Sequence, residues 1–190
     1  MAKSAAMIWK AASGSVGKEL TITTRRSGSV QIGKHRKAST VAPTDSQLDV
    51  REKFKIGSIY AKAAMEDPDL KAQYQAAARR NNKDQSAYNL ALRDAAKAPE
   101  IKSIATAAYT GAIGGTITIK AVDDFRVAAV KVQIASAAGE LIEQGDAAMQ
   151  KNGLDWLYTA TVLNSAVQGS IVTVSATDLP ENETVQEVVL

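Results

Sequence analysis

A chain of 190 residues, 45% of them apolar and 23% charged, has room for one large domain or two small ones of about 100 residues each. It contains no cysteine, which excludes disulfides, thiolate zinc sites and a thiol nucleophile, and no run approaches the ~20 consecutive apolar residues of a membrane span. The net charge of +3 conceals a gradient: residues 1–40 carry eight Lys/Arg against Glu19 alone, residues 41–100 stand at +1, and residues 101–190 reach −5 with five basic and ten acidic side chains. Opposed ends favour head-to-tail association, or steering of one end toward an anionic partner.

The first residues, Met-Ala-Lys-Ser-Ala-Ala-Met-Ile-Trp-Lys, lack the apolar stretch of about 7–15 residues that a Sec leader requires. Met7, Ile8 and Trp9 are expected to form a strand or an anchor. From Lys18 to Arg25 the pattern alternates, with Leu20 and Ile22 on one face and Glu19, Thr21 and Thr23 on the other; Val30 and Ile32 continue it from Ser29 to Gly33. Arg26-Ser27-Gly28 supplies the turn between them, because glycine accepts positive φ without steric cost. Residues 15–34 therefore read as a β-hairpin, which needs something to pack on.

Thr44 and Gln47 fit a capping box, so a helix is expected from Thr44 to about Glu66, with Val50, Phe54, Gly57, Ala61 and Met65 on one stripe and Ile56, Ile59, Tyr60 and Ala63 beside it. Asp67-Pro68 begins a second helix that carries Leu70, Tyr74, Ala77 and Ala78 and stops at Asn81-Asn82. A third, from about Asp84 to Ala96, aligns Ala87, Leu90, Ala91 and Asp94 before Ala98-Pro99 ends it. Beyond Ile101 the period changes to two. Candidate strands are Ile101–Ala107, Thr116–Val122, Val127–Ala135, Leu141–Gln144, Trp156–Val162, Ile171–Ala176 and Thr184–Val189, separated by Gly, Asp and Asn turns. Seven short strands, one with a Trp, predict an antiparallel β-sandwich of immunoglobulin type. The expected fold is thus α+β: a basic hairpin arm over 1–40, a helical region over 41–99 and a sandwich over 100–190.

Trp156–Val162, Gly169–Ala176 and Thr177-Asp178-Leu-Pro-Glu-Asn182 resemble the last three strands of bacterial Ig-like domains, where an Ala-x-Asp-x-x-Gly-Asn turn precedes the final strand. Here Glu181 stands where that glycine is expected. Gly14-Ser-Val-Gly17 and Thr44-Asp-Ser-Gln47-Leu48-Asp-Val-Arg51-Glu-Lys53-Phe54 resemble an uncharacterised Bacteroidota family in which a Gly-x-Val-Gly hairpin precedes such a helix. That resemblance implies a layout and no chemistry.

No catalytic constellation emerges. His35, the one histidine, lies in Lys34-His-Arg-Lys37 with no carboxylate nearby to orient it, and reads as a solvated loop residue. Asp123 and Asp124, with Asp178 and Asn182, form a weak calcium candidate, against which stands a turn whose Asp side chains cap backbone amides. Glu140, Glu143 and Asp146, and Glu181, Glu183 and Glu187, read as solvated faces. Gly111-Ala-Ile-Gly114-Gly115 and Ser13–Gly17 lack the context of a phosphate cradle.

The basic groups Arg25, Arg26, Lys34, Arg36 and Lys37, with Ile22 and Ile32 as register-setting side chains, form the candidate contact surface; Arg79, Arg80 and Lys83 add charge at the end of the second helix. Such an arm suits either the acidic region of a neighbouring copy or nucleic-acid phosphates, but the hairpin, residues 15–34, offers no aromatic side chain for base stacking. The expectation is a non-enzymatic, cofactor-free assembly subunit of a phage virion, tail or extracellular filament, made in the cytoplasm without a Sec leader. It would form homo-oligomers or join other subunits of the same particle; a nucleic-acid-binding protein is the alternative.

Overall fold

The computed structural model describes residues 13–25, 27–36, 38, 40–80 and 85–190. The expectations placed on Met7, Ile8, Trp9, Arg26, Lys37, Asn81, Asn82, Lys83 and Asp84 lie outside the described residues.

The arm is a three-stranded meander, one strand more than the predicted hairpin: β1 (Gly14–Val16), β2 (Leu20–Thr24) and β3 (Val30–Lys34), antiparallel in that order. The additional strand arises where Gly17 and Lys18, at φ of 59° and 58°, turn the chain back on itself; the second turn uses Gly28 at φ 79°. Val16 lies opposite Leu20, and Ile22 opposite Ile32. Opposed residues share a face, so these side chains and Val30 line one side of the sheet. Only Ile22 at its centre is buried; Val16, Leu20 and Ile32 remain about half exposed, at 53%, 45% and 51%.

Helix α1 (Asp45–Glu66) starts on the predicted box: Thr44 Oγ1 accepts from the Gln47 amide at 3.4 Å, and Gln47 Oε1 accepts from the Thr44 amide at 3.3 Å. Helix α2 (Pro68–Arg80) follows Asp67, whose Oδ1 accepts from the Asp69 and Leu70 amides at 2.8 and 3.0 Å. Helix α3 (Ala87–Ala95) begins later than the sequence suggests, because Ser86 is its cap and accepts from the Asn89 amide. Ala61, Ala64, Tyr74, Leu90 and Ala91 form the helical core. Helices α1 and α3 approach closely at Gly57, where a Cβ would sit 3.1 Å from the Leu92 carbonyl oxygen.

The predicted stripe on α1 is only half covered. Gly57, Ala61 and Ala64 are buried, whereas Val50 and Phe54, on the same stripe toward the N-terminus, are 66% and 59% exposed. Length explains the split: 22 residues extend about 33 Å and the nine of α3 about 13 Å, so the start of α1 overhangs its partner. Ile56 and Ile59 are also exposed, on the opposite side.

The rest of the chain forms two four-stranded antiparallel sheets. The strands are β4 (Glu100–Ala105), β5 (Thr116–Val122), β6 (Val127–Ala135), β7 (Leu141–Asp146), β8 (Ala148–Met149), β9 (Asp155–Thr159), β10 (Ile171–Asp178) and β11 (Glu183–Val189). One sheet runs β4-β5-β9-β8 and the other β11-β10-β6-β7. There are eight strands here rather than seven; the extra one, β8, is two residues long and too short to show alternation. Both sheets share one core, in which Ile117, Ile119 and Trp156 of the first meet Val132, Ile134, Val172 and Val174 of the second. The strict burial alternation of β5 and β10 is the physical form of their period-two sequences. Among the described residues, no helix is long and apolar enough to cross a membrane.

Candidate functional site

Two features stand out: a buried acidic junction between helices and sheets, and the basic arm. The junction begins with the turn between β5 and β6. Asp123 Oδ2 accepts from the amides of Phe125 and Arg126 at 3.1 and 3.0 Å, and this tight turn presents Phe125 to the helices. The Phe125 ring stacks on Tyr74, with centroids 4.5 Å apart. At the far end of the second sheet, the turn after β10 docks on the end of α3. Asn182 Nδ2 donates to Asp178 Oδ2 at 2.8 Å and to the Asp94 carbonyl at 3.3 Å, and Asp178 Oδ1 accepts from the Asn182 amide at 2.7 Å. Glu181 occupies that turn at φ 69°, taking the left-handed conformation without a glycine.

Asp94 lies where these contacts converge. It sits on the buried stripe of α3 and is fully buried; its Oδ2 accepts from the Tyr74 hydroxyl at 2.5 Å, and Tyr74 in turn contacts the Tyr60 hydroxyl at 3.0 Å. Carboxylate oxygens of Asp94, Asp123 and Asp178 all lie within 4.8 Å of one another. Asp94 Oδ1 and Asp123 Oδ1 are buried with no hydrogen-bond partner. Burial pushes the Asp94 carboxyl up to about 7; the Tyr74 hydrogen bond opposes the rise, and Asp123 and Asp178 reinforce it. Burial also raises Asp178, against the pull of its hydrogen bonds from Asn182. Both tyrosine hydroxyls are raised, first by burial, so they stay neutral.

The sequence-level acidic set is therefore corrected in membership. Asp124 points outward and pairs with Arg93 Nε at 3.3 Å and Lys97 Nζ at 3.1 Å. Asn182 spends its amide on holding Asp178 and capping α3. Asp94, read from the sequence only as part of a helical stripe, takes the third position. A charged residue on an apolar stripe was the available signal. Glu143 needs a second correction: it is buried, not on a solvated face, and its Oε2 accepts from Thr161 N, Thr161 Oγ1 and Val162 N at 2.9, 3.1 and 3.2 Å. It ties β7 in one sheet to the segment after β9 in the other.

On the arm, Arg25, Lys34 and Arg36 are exposed around the meander, and Ile22 and Ile32 are cross-strand partners on its aliphatic face. His35 lies in the segment after β3, as expected, but is not solvated. It is half-buried, and its Nδ1 lies 3.4 Å from Ser15 Oγ and 3.3 Å from Thr21 Oγ1 on the polar face. Strand β11 forms an edge of its sheet and alternates acid and aliphatic outward, with Glu183, Val185, Glu187 and Val189 exposed; Val185 is 54% and Val189 68% exposed.

No protein-family model matches the chain, and no curated protein matches it. A solved structure described as that of an engineered protein aligns over 50% of this chain at 22% identity with a TM-score of 0.34, and the chain covers 19% of that structure. The fold itself is α+β, with three helices and three antiparallel sheets among the described residues.

Proposed function

We propose that this chain is a non-enzymatic structural subunit that associates with further copies of itself. The observation that supports this most directly is the arm's aliphatic face, where Val16, Leu20 and Ile32 stay half exposed although they are arranged as one side of a sheet. A three-stranded sheet of this size gains little stability until such a face is covered. The occupant we infer is the outer face of β11 in a second copy. Its valines match the arm's aliphatic residues, and Glu183 and Glu187 suit Arg25, Lys34 and Arg36 by charge. The overhanging start of α1, with Val50 and Phe54, supplies further apolar surface next to the arm in the chain.

This reading includes an immunoglobulin-like arrangement for the two-sheet unit, favoured by its paired antiparallel sheets around a buried Trp156. It also includes a place in a virion, tail or extracellular filament, the kind of object that repeated head-to-tail contact builds. Assembly is preferred over nucleic-acid binding because the meander over residues 14–34 presents aliphatic side chains rather than stacking aromatics. Multi-angle light scattering of the full chain tests the reading. Wild type is expected to gain mass with concentration, and Leu20→Asp with Ile32→Asp to hold it at the monomer. A wild type that stays monomeric throughout, or a double variant that assembles as wild type does, would overturn it.

A further inference from the structure

The acidic junction gathers more carboxylate than its hydrogen bonds from the rest of the chain account for. Three carboxylates converge there, and Asp94 and Asp178 are almost fully removed from solvent at 0% and 3% exposure. Ionised carboxylates taken out of water need a counter-charge or a proton. Arg93 and Lys97, at the end of α3, are engaged by Asp124. The hydrogen bonds present account for one oxygen each on Asp94 and Asp123: Tyr74 takes Asp94 Oδ2, and the turn amides take Asp123 Oδ2. The other oxygen of each is buried and accepts no hydrogen bond from the rest of the chain, so Asp94 and Asp123 face only each other there. Two such acceptors side by side call for a positive centre between them, a proton or a cation.

We propose that Asp94, Asp123 and Asp178 bind a divalent cation, calcium by its chemistry, at the junction of α3 with the two sheets. An all-oxygen ligand set selects the hard cations over zinc or copper. Calcium–oxygen distances of about 2.3–2.6 Å place any two ligand oxygens at most ~5 Å apart, and the three carboxylates lie within 4.8 Å of one another. Calcium tolerates irregular coordination, whereas magnesium demands a near-ideal octahedron. Here the ligands are fixed by Tyr74, by the β5–β6 turn and by Asn182, which favours the less exacting ion. Remaining positions would be filled by water on the side of half-buried Asp123. The three ligands come from α3, the β5–β6 turn and the end of β10, so the ion would cross-link the helical region to both sheets.

The test uses the full chain after chelation, titrated with calcium chloride alone and followed by calorimetry and thermal melting. One saturable site and a rise in melting temperature are expected. Asp123→Asn and Asp178→Asn should each weaken binding more than about tenfold, and Asp124→Asn should bind as wild type does. Terbium provides a readout that needs no variant to fold: excitation through Tyr74, beside Asp94, should sensitise its emission in wild type, and calcium should quench it by displacement. The proposal fails if chelated wild type shows no saturable calcium binding, if Asp124→Asn loses as much affinity as Asp123→Asn, or if calcium leaves the terbium emission unchanged.

Discussion

Replacing Asp94 with asparagine should change how stability depends on pH in metal-free protein. Asp94 titrates near 7 in the folded chain against an ordinary value of 3.8, chiefly because it is buried. The groups facing it are Tyr74 from α2, Tyr60 from α1, Asp123 from the β5–β6 turn and Asp178 from β10; the two phenols stay neutral, and Asp178 is itself raised. The folded state thus binds this proton more tightly than the unfolded chain does. The stabilisation is complete below about pH 4 and is lost as pH rises through about 7. At 1.36 kcal/mol per pH unit, the interval between the two values corresponds to about 4 kcal/mol. Asparagine has no proton to lose, can accept from Tyr74 and can donate to Asp123 Oδ1. Denaturant unfolding in EDTA, at steps from pH 4 to pH 8, reads the difference between wild type and Asp94→Asn. Wild type should lose ground to the variant by up to about 4 kcal/mol across that range. Parallel profiles, or a wild type that gains on the variant as pH rises, would show that burial does not hold the proton on Asp94.

Further outcomes are expected elsewhere in the fold. Glu143→Ala strands the Thr161 and Val162 amides and should cost about 3 kcal/mol in chemical denaturation, while Glu143→Gln keeps an acceptor and should cost less than about half of that. Gly111→Ala forces a side chain into the left-handed region at φ 81° and into Val167 and the Asn164 carbonyl; its melting curve should show a loss of about 3 kcal/mol or more. Glu181→Gly relieves a positive φ at an exposed turn and should stabilise by about 0.5–1 kcal/mol.

What the sequence revealed tracks how local the determining physics is. The starts of α1 and α2 were legible because Thr44 with Gln47, and Asp67 with Pro68, satisfy the first helical amides within a few residues. Strands β5 and β10 were legible because both sheets bury one face against a single core. Periodicity identified the apolar stripe of α1 but could not say where α3 stops covering it, so Val50 and Phe54 looked like core. Strand β8 exists only through its pairing with β9. The acidic junction depended on residues remote in sequence. Asp123 and Asp124 are neighbours, yet the turn sends one inward and the other to Arg93 and Lys97, and only packing brings Asp94 and Asp178 beside Asp123.

Self-association through arm and edge strand is tested most directly by a charge exchange measured by sedimentation velocity. Arg25→Glu with Arg36→Glu, and separately Glu183→Lys with Glu187→Lys, should each reduce the assembled fraction of the full chain. An equimolar mixture of the two variants should restore it, since each then supplies the surface the other lacks. Restoration in the mixture is expected of contact between arm and edge strand; variants that assemble as wild type does, or a mixture that stays monomeric, would rule that contact out.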